Sequence, residues 1–129
     1  RGKILVLATL SSKDFGNILN SYLDKRYGFT FDYVIGTELS FSDDGKITGI
    51  KKIVGTKDSE YNGIPVETKF TAVKKELALA GKEFNMKKAV LITDSYGDID
   101  TAKMMVTILV KPRNPTTAQR ISQRLRLAD

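Results

Sequence analysis

The chain has 129 residues, 41% of them hydrophobic and 28% charged, which suits one domain with a core of its own. It contains no cysteine and no histidine, which excludes disulfides, thiolate zinc sites, cysteine nucleophiles and any mechanism needing an imidazole base. Chemistry is left to Asp, Glu, Ser, Thr, Lys and Tyr, with an oxygen-preferring metal such as magnesium as the fitting helper. The balance of 21 basic against 15 acidic residues, a net +6, favours anionic partners, phosphate esters and nucleic acid alike. No apolar run approaches the roughly 18 residues of a membrane span. The start carries no signal-peptide pattern, so the cytoplasm is the default expectation.

The strand pattern begins at Lys3, directly after Arg1, and suggests that a segment precedes it. Ile4-Leu5-Val6-Leu7-Ala8 is a continuous apolar run of the kind buried on both faces of a parallel sheet, and it leads into Thr9-Leu10-Ser11-Ser12. Ser12 is placed to cap a helix whose apolar residues Phe15, Ile18, Leu19, Tyr22 and Leu23 recur at helical spacing, with Gly28 as its stop. Tyr33-Val34-Ile35-Gly36-Thr37 reads as a second strand. Asp44-Gly45, between short alternating runs from Leu39 to Ile50, predicts a β-hairpin. Residues 55–65, with Gly55, Asn62-Gly63 and Pro65, read as irregular loop. A helix is expected from about Thr68 to Ala80 with Phe70, Val73, Leu77 and Ala80 on one face and Gly81 past its end.

Ala89-Val90-Leu91-Ile92-Thr93 is the next buried strand, ending in Asp94-Ser95-Tyr96-Gly97-Asp98. A short helix through Ile99, Ala102 and Met105 and a strand over Thr107–Val110 follow. Asn114 and Pro115 open a last helix, with Ala118, Ile121 and Leu125 as its apolar stripe. Alternating strands and helices predict an α/β fold: a three-layer sandwich around a mostly parallel, Rossmann-like sheet with a β-hairpin insertion, one core domain over 1–129. In such sheets ligands lie beyond the carboxyl ends of the strands, which marks Thr9–Ser12, Asp94–Asp98 and Lys111 onward as the rim.

Asp94 and Asp98 bracket a turn at a strand end, an arrangement able to hold a hard cation or orient its waters. A turn residue and a helix cap are the plain alternative. Thr9, Leu10, Ser11 and Ser12 combine hydroxyls with the amides of a helix start, an anion cradle or simple capping. Lys69 stands in the first turn of its helix, where a cation opposes the dipole unless an anion is near. Lys74, Lys75 and Lys82 show that lysine is common on this surface. Arg120, Arg124 and Arg126 lack interleaved aromatics and read as a solvated face, which argues against nucleic acid. There is no P-loop and no dinucleotide glycine fingerprint.

In order, these segments resemble the haloacid dehalogenase superfamily, in its phosphoserine-phosphatase-like branch. Leu5-Val6-Leu7-Ala8-Thr9-Leu10-Ser11 looks like the second motif of that family. Val34-Ile35-Gly36-Thr37-Glu38-Leu39 and Asp44-Gly45-Lys46-Ile47-Thr48-Gly49 look like the strand and hairpin after it. Thr68-Lys69 is similar to the third motif, and Thr93-Asp94-Ser95-Tyr96-Gly97-Asp98 to the fourth. The resemblance implies a magnesium-dependent phosphomonoesterase that acts on a small phosphorylated metabolite through an aspartyl-phosphate. Thr9, Leu10, Ser11 and Lys69 would bind the phosphoryl group and Asp94 would ligate Mg2+. Asp98 would support the site, with Thr9, Lys69 and Asp98 as catalytic residues. The Asp-x-Asp first motif, with its nucleophile and the cap domain behind it, has no counterpart in the sequence. The resemblance therefore leads us to expect them in a missing N-terminal segment, this chain alone being inactive.

Two other readings compete. Thr107-Ile108-Leu109-Val110-Lys111-Pro112 resembles the end of a phosphorelay receiver's last strand, but Thr9-Leu10-Ser11 stands where a receiver needs acids. A noncatalytic anion- or nucleic-acid-binding α/β module rests on the net charge and the C-terminal arginines.

Overall fold

The computed structural model describes residues 2–94 and 98–110 and divides into two compact units, residues 1–76 and 77–129. Ser95, Tyr96, Gly97, the Lys111-Pro112-Arg113 rim and the expected last helix with Asn114, Pro115, Ala118, Arg120, Ile121, Arg124, Leu125 and Arg126 lie outside the described residues.

The first unit is built on a mixed five-stranded sheet. Its strands are β1 (Val6–Ser12), β2 (Tyr33–Phe41), β3 (Ile47–Gly55), β4 (Ser59–Tyr61) and β5 (Ile64–Thr68), in the order β1-β2-β3-β5-β4. β1 and β2 are parallel and joined by helix α1 (Lys13–Tyr27). β2 pairs antiparallel with β3, β3 parallel with β5, and β4 antiparallel with β5. The fold is thus α/β, as expected.

Local chemistry explains the first crossover. Ser12 caps α1, its hydroxyl accepting the Phe15 amide at 3.1 Å, and satisfies an amide with no intrahelical partner. Gly28 ends the helix at φ 62°, a conformation that costs glycine little, and donates to Asp24 O. The Asn20 side chain brackets Phe31, accepting from its amide at 2.7 Å and donating to its carbonyl at 3.1 Å. Asp32 accepts the Leu5 amide at 2.8 Å, which brings the returning chain beside β1.

Of the five residues expected to bury α1, Phe15, Ile18, Leu19 and Tyr22 face solvent instead, and Leu23 alone turns toward the sheet. The sheet side of the helix carries buried Gly16, with Asn20 and Leu23 half-buried along the same line. The reason is steric: a Cβ on Gly16 would stand 2.5 Å from Val34 Cγ1, so only glycine allows the helix to lie this close. Helix α2 (Lys69–Leu79) packs on other residues. Its Ala72 joins a cluster with Ile35 and Val54, against which Val6, Ala8 and Val73 also pack. Val34 and Ile35 are consecutive on β2 and point to opposite faces, so the two helices cover opposite sides of that strand. Of the residues expected to bury α2, Leu77 is buried, Phe70 and Val73 are half-buried and Ala80 is exposed; Ala72 takes their central place.

Two turns differ from expectation. β2 continues unbroken to Phe41, so the Asp-Gly hairpin joins two long strands of the main sheet. Its turn closes through Ser42 N to Lys46 O at 2.8 Å, with Gly45 at φ 81°. The stretch 55–65, expected to be irregular, contains β4 and the start of β5. Asn62 (φ 49°) and Gly63 (φ 78°) form the two-residue left-handed turn that matches strand twist.

In the second unit, Gly81 at φ 70° closes α2, with Lys82 N donating to Leu77 O at 2.8 Å. A 3-10 turn (Met86–Lys88) leads to β6 (Val90–Thr93). Helix α3 (Ile99–Ala102) and β7 (Val106–Leu109) follow, β6 and β7 being parallel. Thr107 donates its hydroxyl to Ala102 O at 3.2 Å, tying β7 to α3.

Gly36 sets the β1–α1 corner against β2. A Cβ there would lie 2.7 Å from Lys13 N, 2.8 Å from Lys13 Cα and 2.9 Å from Ser11 O, all backbone atoms. Gly36→Ala is expected to cost about 1–3 kcal/mol or more. Gly49→Ala, whose Cβ meets nothing within 4 Å, should be neutral or slightly stabilising. Urea denaturation of both variants checks this, and equal midpoints would refute the close approach.

Candidate functional site

Thr9, Leu10 and Ser11 are consecutive in the second half of β1, where the pairing with β2 shifts register between Ala8 and Ser12. The shift matters because strict alternation of side chains ends there. The segment satisfies much of its own polarity. Thr9 Oγ1 accepts the Ser11 amide at 3.1 Å, and Leu10 O accepts the Thr37 hydroxyl at 3.0 Å. Thr37 Oγ1 in turn accepts from Val54 N at 3.1 Å and links β1 through β2 to β3. Leu10 and Ser11 are exposed and Thr9 is half-buried.

Lys69 is the first residue of α2 and is half-buried. Thr68 caps that helix, its hydroxyl oxygen accepting the Thr71 amide at 3.2 Å. Behind the cap stands Asp58, whose carboxylate accepts the Thr68 amide at 2.8 Å and the Thr71 hydroxyl at 2.9 Å. Those bonds, the Thr68 amide foremost, hold the Asp58 carboxyl below its ordinary value of 3.8. The α2 amino end therefore has an anion of its own chain beside it. Ala8, the residue before Thr9, packs on the cluster that contains Ala72 of α2.

One residue close to Lys69 escaped the sequence reading. Glu67, at the end of β5, is buried, accepts a hydrogen bond from Lys75, and lies 3.8 Å from Lys52 Nζ. At that distance its Oε2 feels the lysine charge but has no hydrogen bond. Lys52 also pairs with Glu38 at 3.6 Å, and Lys13 pairs with Glu38 at 3.7 Å. Alternating charges thus run from α1 across the sheet to α2. An acid directly before Thr68-Lys69 was the available signal, between the stretch read as loop and the expected helix.

The acidic pair lies in the second unit. Asp94 follows β6 and is exposed; Asp98 directly precedes α3 and is buried, accepting a hydrogen bond from the Thr93 hydroxyl. Hence one carboxylate is held by the fold and the other faces water. Among the described residues no three acids converge to form a metal cage. Magnesium does not require one, since it is bound through one or two carboxylates together with waters and substrate phosphate. Carboxylate oxygens at a strand end fit that donor chemistry. No protein-family model matches the chain, nor does any curated protein or solved structure.

The depressed Asp58 carboxyl predicts an acid-side loss of stability. Its charged form is favoured by folding, so the stabilisation is complete above about pH 4 and fades as pH falls through the lower folded value. Asp44, held low by the Ser42 hydroxyl and then Lys46, acts in the same sense. Asp58→Asn is expected to lower stability near neutral pH by no more than about 0.5 kcal/mol, since water screens an exposed carboxylate. Its deficit should shrink in acid, as denaturation at pH 7 and pH 3 would reveal. A constant deficit would mean that the Asp58 charge contributes nothing.

Proposed function

We propose that the chain is the phosphate-binding and metal-binding part of a magnesium-dependent phosphomonoesterase of the haloacid dehalogenase type. The observation that carries this reading is the unequal pair at the end of β6: Asp94 open to solvent, Asp98 buried and oriented by Thr93. The three-layer arrangement of the family belongs to the same proposal. Covering β2 from both sides by α1 and α2 supports it.

In this reading the Thr9 hydroxyl, which accepts the Ser11 amide, donates to a nonbridging phosphoryl oxygen, with the exposed Leu10 and Ser11 beside it. Lys69 supplies fixed positive charge to the phosphoryl group. Phosphoryl transfer depends mainly on such positioning and charge, so the lack of histidine is no obstacle. Asp94 would hold magnesium, which when bound polarises the phosphoryl oxygens as a Lewis acid. Asp98, fixed by Thr93, would keep the neighbouring donors in place. The reading requires an aspartate nucleophile from outside these 129 residues, and its substrate class is a small phosphate monoester.

Calorimetric titration of the purified chain with orthophosphate tests it. Phosphate should bind about tenfold or more tightly with magnesium present. Asp94→Asn should remove the magnesium dependence, and Lys69→Ala should weaken phosphate in either condition. Binding indifferent to magnesium and to both substitutions would leave a generic basic anion binder in place of a phosphatase site.

A further inference from the structure

Helix α1 turns a strongly apolar face to water. Phe15 is 60% exposed, Ile18 68%, Tyr22 55% and Leu19 36%. At about 100° per residue these four occupy roughly 100° of arc, the width of a stripe that normally meets another element. The opposite side of the helix is already used, since Gly16 rests on Val34. Ile18 and Tyr22, with Asn17, Ser21 and Lys25, also line a shallow groove along the exposed side. A contiguous apolar stripe of this kind, rimmed by polar residues, marks an interaction surface.

The charges beside the stripe identify the occupant. Asp14 stands in the first turn and Lys25 in the last, and both flank the stripe on the same side, away from the sheet. We infer that α1 pairs antiparallel with α1 of a second copy of this chain. A two-fold axis through the middle of the helix sets Phe15 opposite the partner's Tyr22, Ile18 beside the partner's Ile18 and Leu19 beside the partner's Leu19. It also brings Asp14 within reach of the partner's Lys25, twice per dimer. The arrangement is self-complementary, as a two-fold interface must be, and it opposes the two helix dipoles. Arg26, which lies over the Tyr27 ring at 6.0 Å, falls at the end of the stripe near the partner's Phe15. A parallel two-fold pairing would instead leave Asp14 level with the partner's Asp14 on opposite flanks of the seam, with the partner's Lys25 about three turns away.

One helix pair is small against the ~1,200–2,000 Å² of a stable interface, so the dimer belongs to the weak class, with association in the micromolar range. Two chains of net charge +6 repel at low ionic strength, so physiological salt is the proper condition. Sedimentation velocity of the full chain over a concentration series should show a monomer–dimer equilibrium. Ile18→Asp should abolish it with the far-ultraviolet dichroism unchanged. Asp14→Lys should weaken association about tenfold or more, and the double variant Asp14→Lys, Lys25→Asp should restore it. A chain that stays monomeric throughout the micromolar range overturns the inference. So does a dimer indifferent to Ile18→Asp, which would point to another surface, and so does a double variant no better than Asp14→Lys in a helix that dichroism shows to be intact.

Discussion

Three consecutive residues of β2 hold the first unit together, and each meets a different element. Val34 receives Gly16 of α1, Ile35 packs with Val54 and Ala72, and Gly36 admits the backbone of Ser11 and Lys13. Alternation along the strand sends the first two side chains to opposite faces, while the absence of a third side chain leaves room for the turn. Because backbone atoms cannot rotate away, the contact at Gly36 is less forgiving than side-chain packing. The position of Thr9–Ser12 follows from it. The rim segment is where it is because Gly36 lets the corner approach β2, and the Thr37 hydroxyl on Leu10 O fastens it.

Polar interactions supplement a small apolar core. The buried hydrophobic residues described are Val34, Ile35, Val54, Ala72, Leu77 and Ala102, several of them small. Across the first unit the ladder Lys13–Glu38–Lys52–Glu67–Lys75 crosses from α1 to α2 over three strands. Its exposed members are worth little singly. Glu67 is different, because removing its cationic neighbours would leave a buried carboxylate uncompensated. The ladder therefore constrains which register β2, β3 and β5 can share more than it adds to stability.

Periodicity revealed much of this in the sequence. The apolar run of β1, the cap at Ser12, the stop at Gly28, the β6 strand and the helix beginning at Lys69 all follow from local pattern. Orientation was a different matter. The stripe Phe15, Ile18, Leu19 and Tyr22 signals a helix, but nothing local says that the sheet takes the Gly16–Asn20 side. That choice depends on how closely the helix must approach Val34. The 59–68 hairpin was missed because Pro65 and the polar residues of β4 read as loop, although Asn62-Gly63 is a strong hairpin turn. Glu67 and Asp58 were missed because both act through partners distant in sequence. Of the candidate site, the positions of Thr9, Lys69, Asp94 and Asp98 at or near strand–helix junctions were legible. Their hydrogen-bond partners were not.

Those partners redistribute the weight of the functional argument. A lysine opening a helix opposes the dipole at a cost of about 0.3–1 kcal/mol, which by itself would call for an anionic ligand. Asp58 already places a carboxylate at the same helix end, fixed by two hydrogen bonds, so Lys69 is accounted for without a phosphate. Likewise Ser12 is occupied by Phe15, and Thr9 Oγ1 by Ser11, although a hydroxyl that accepts one bond can still donate another. For the acidic pair a turn residue and a helix cap are the plain alternative, and the hydrogen bonds described account directly only for Asp98. Thr93 accounts for burying Asp98, since a carboxylate carried into the interior needs a donor. It does not account for Asp94, which adds a second negative charge at the end of the same strand and faces solvent. Of the four, Asp94 is the one left open to solvent, and the proposed magnesium site rests on it more than on the others.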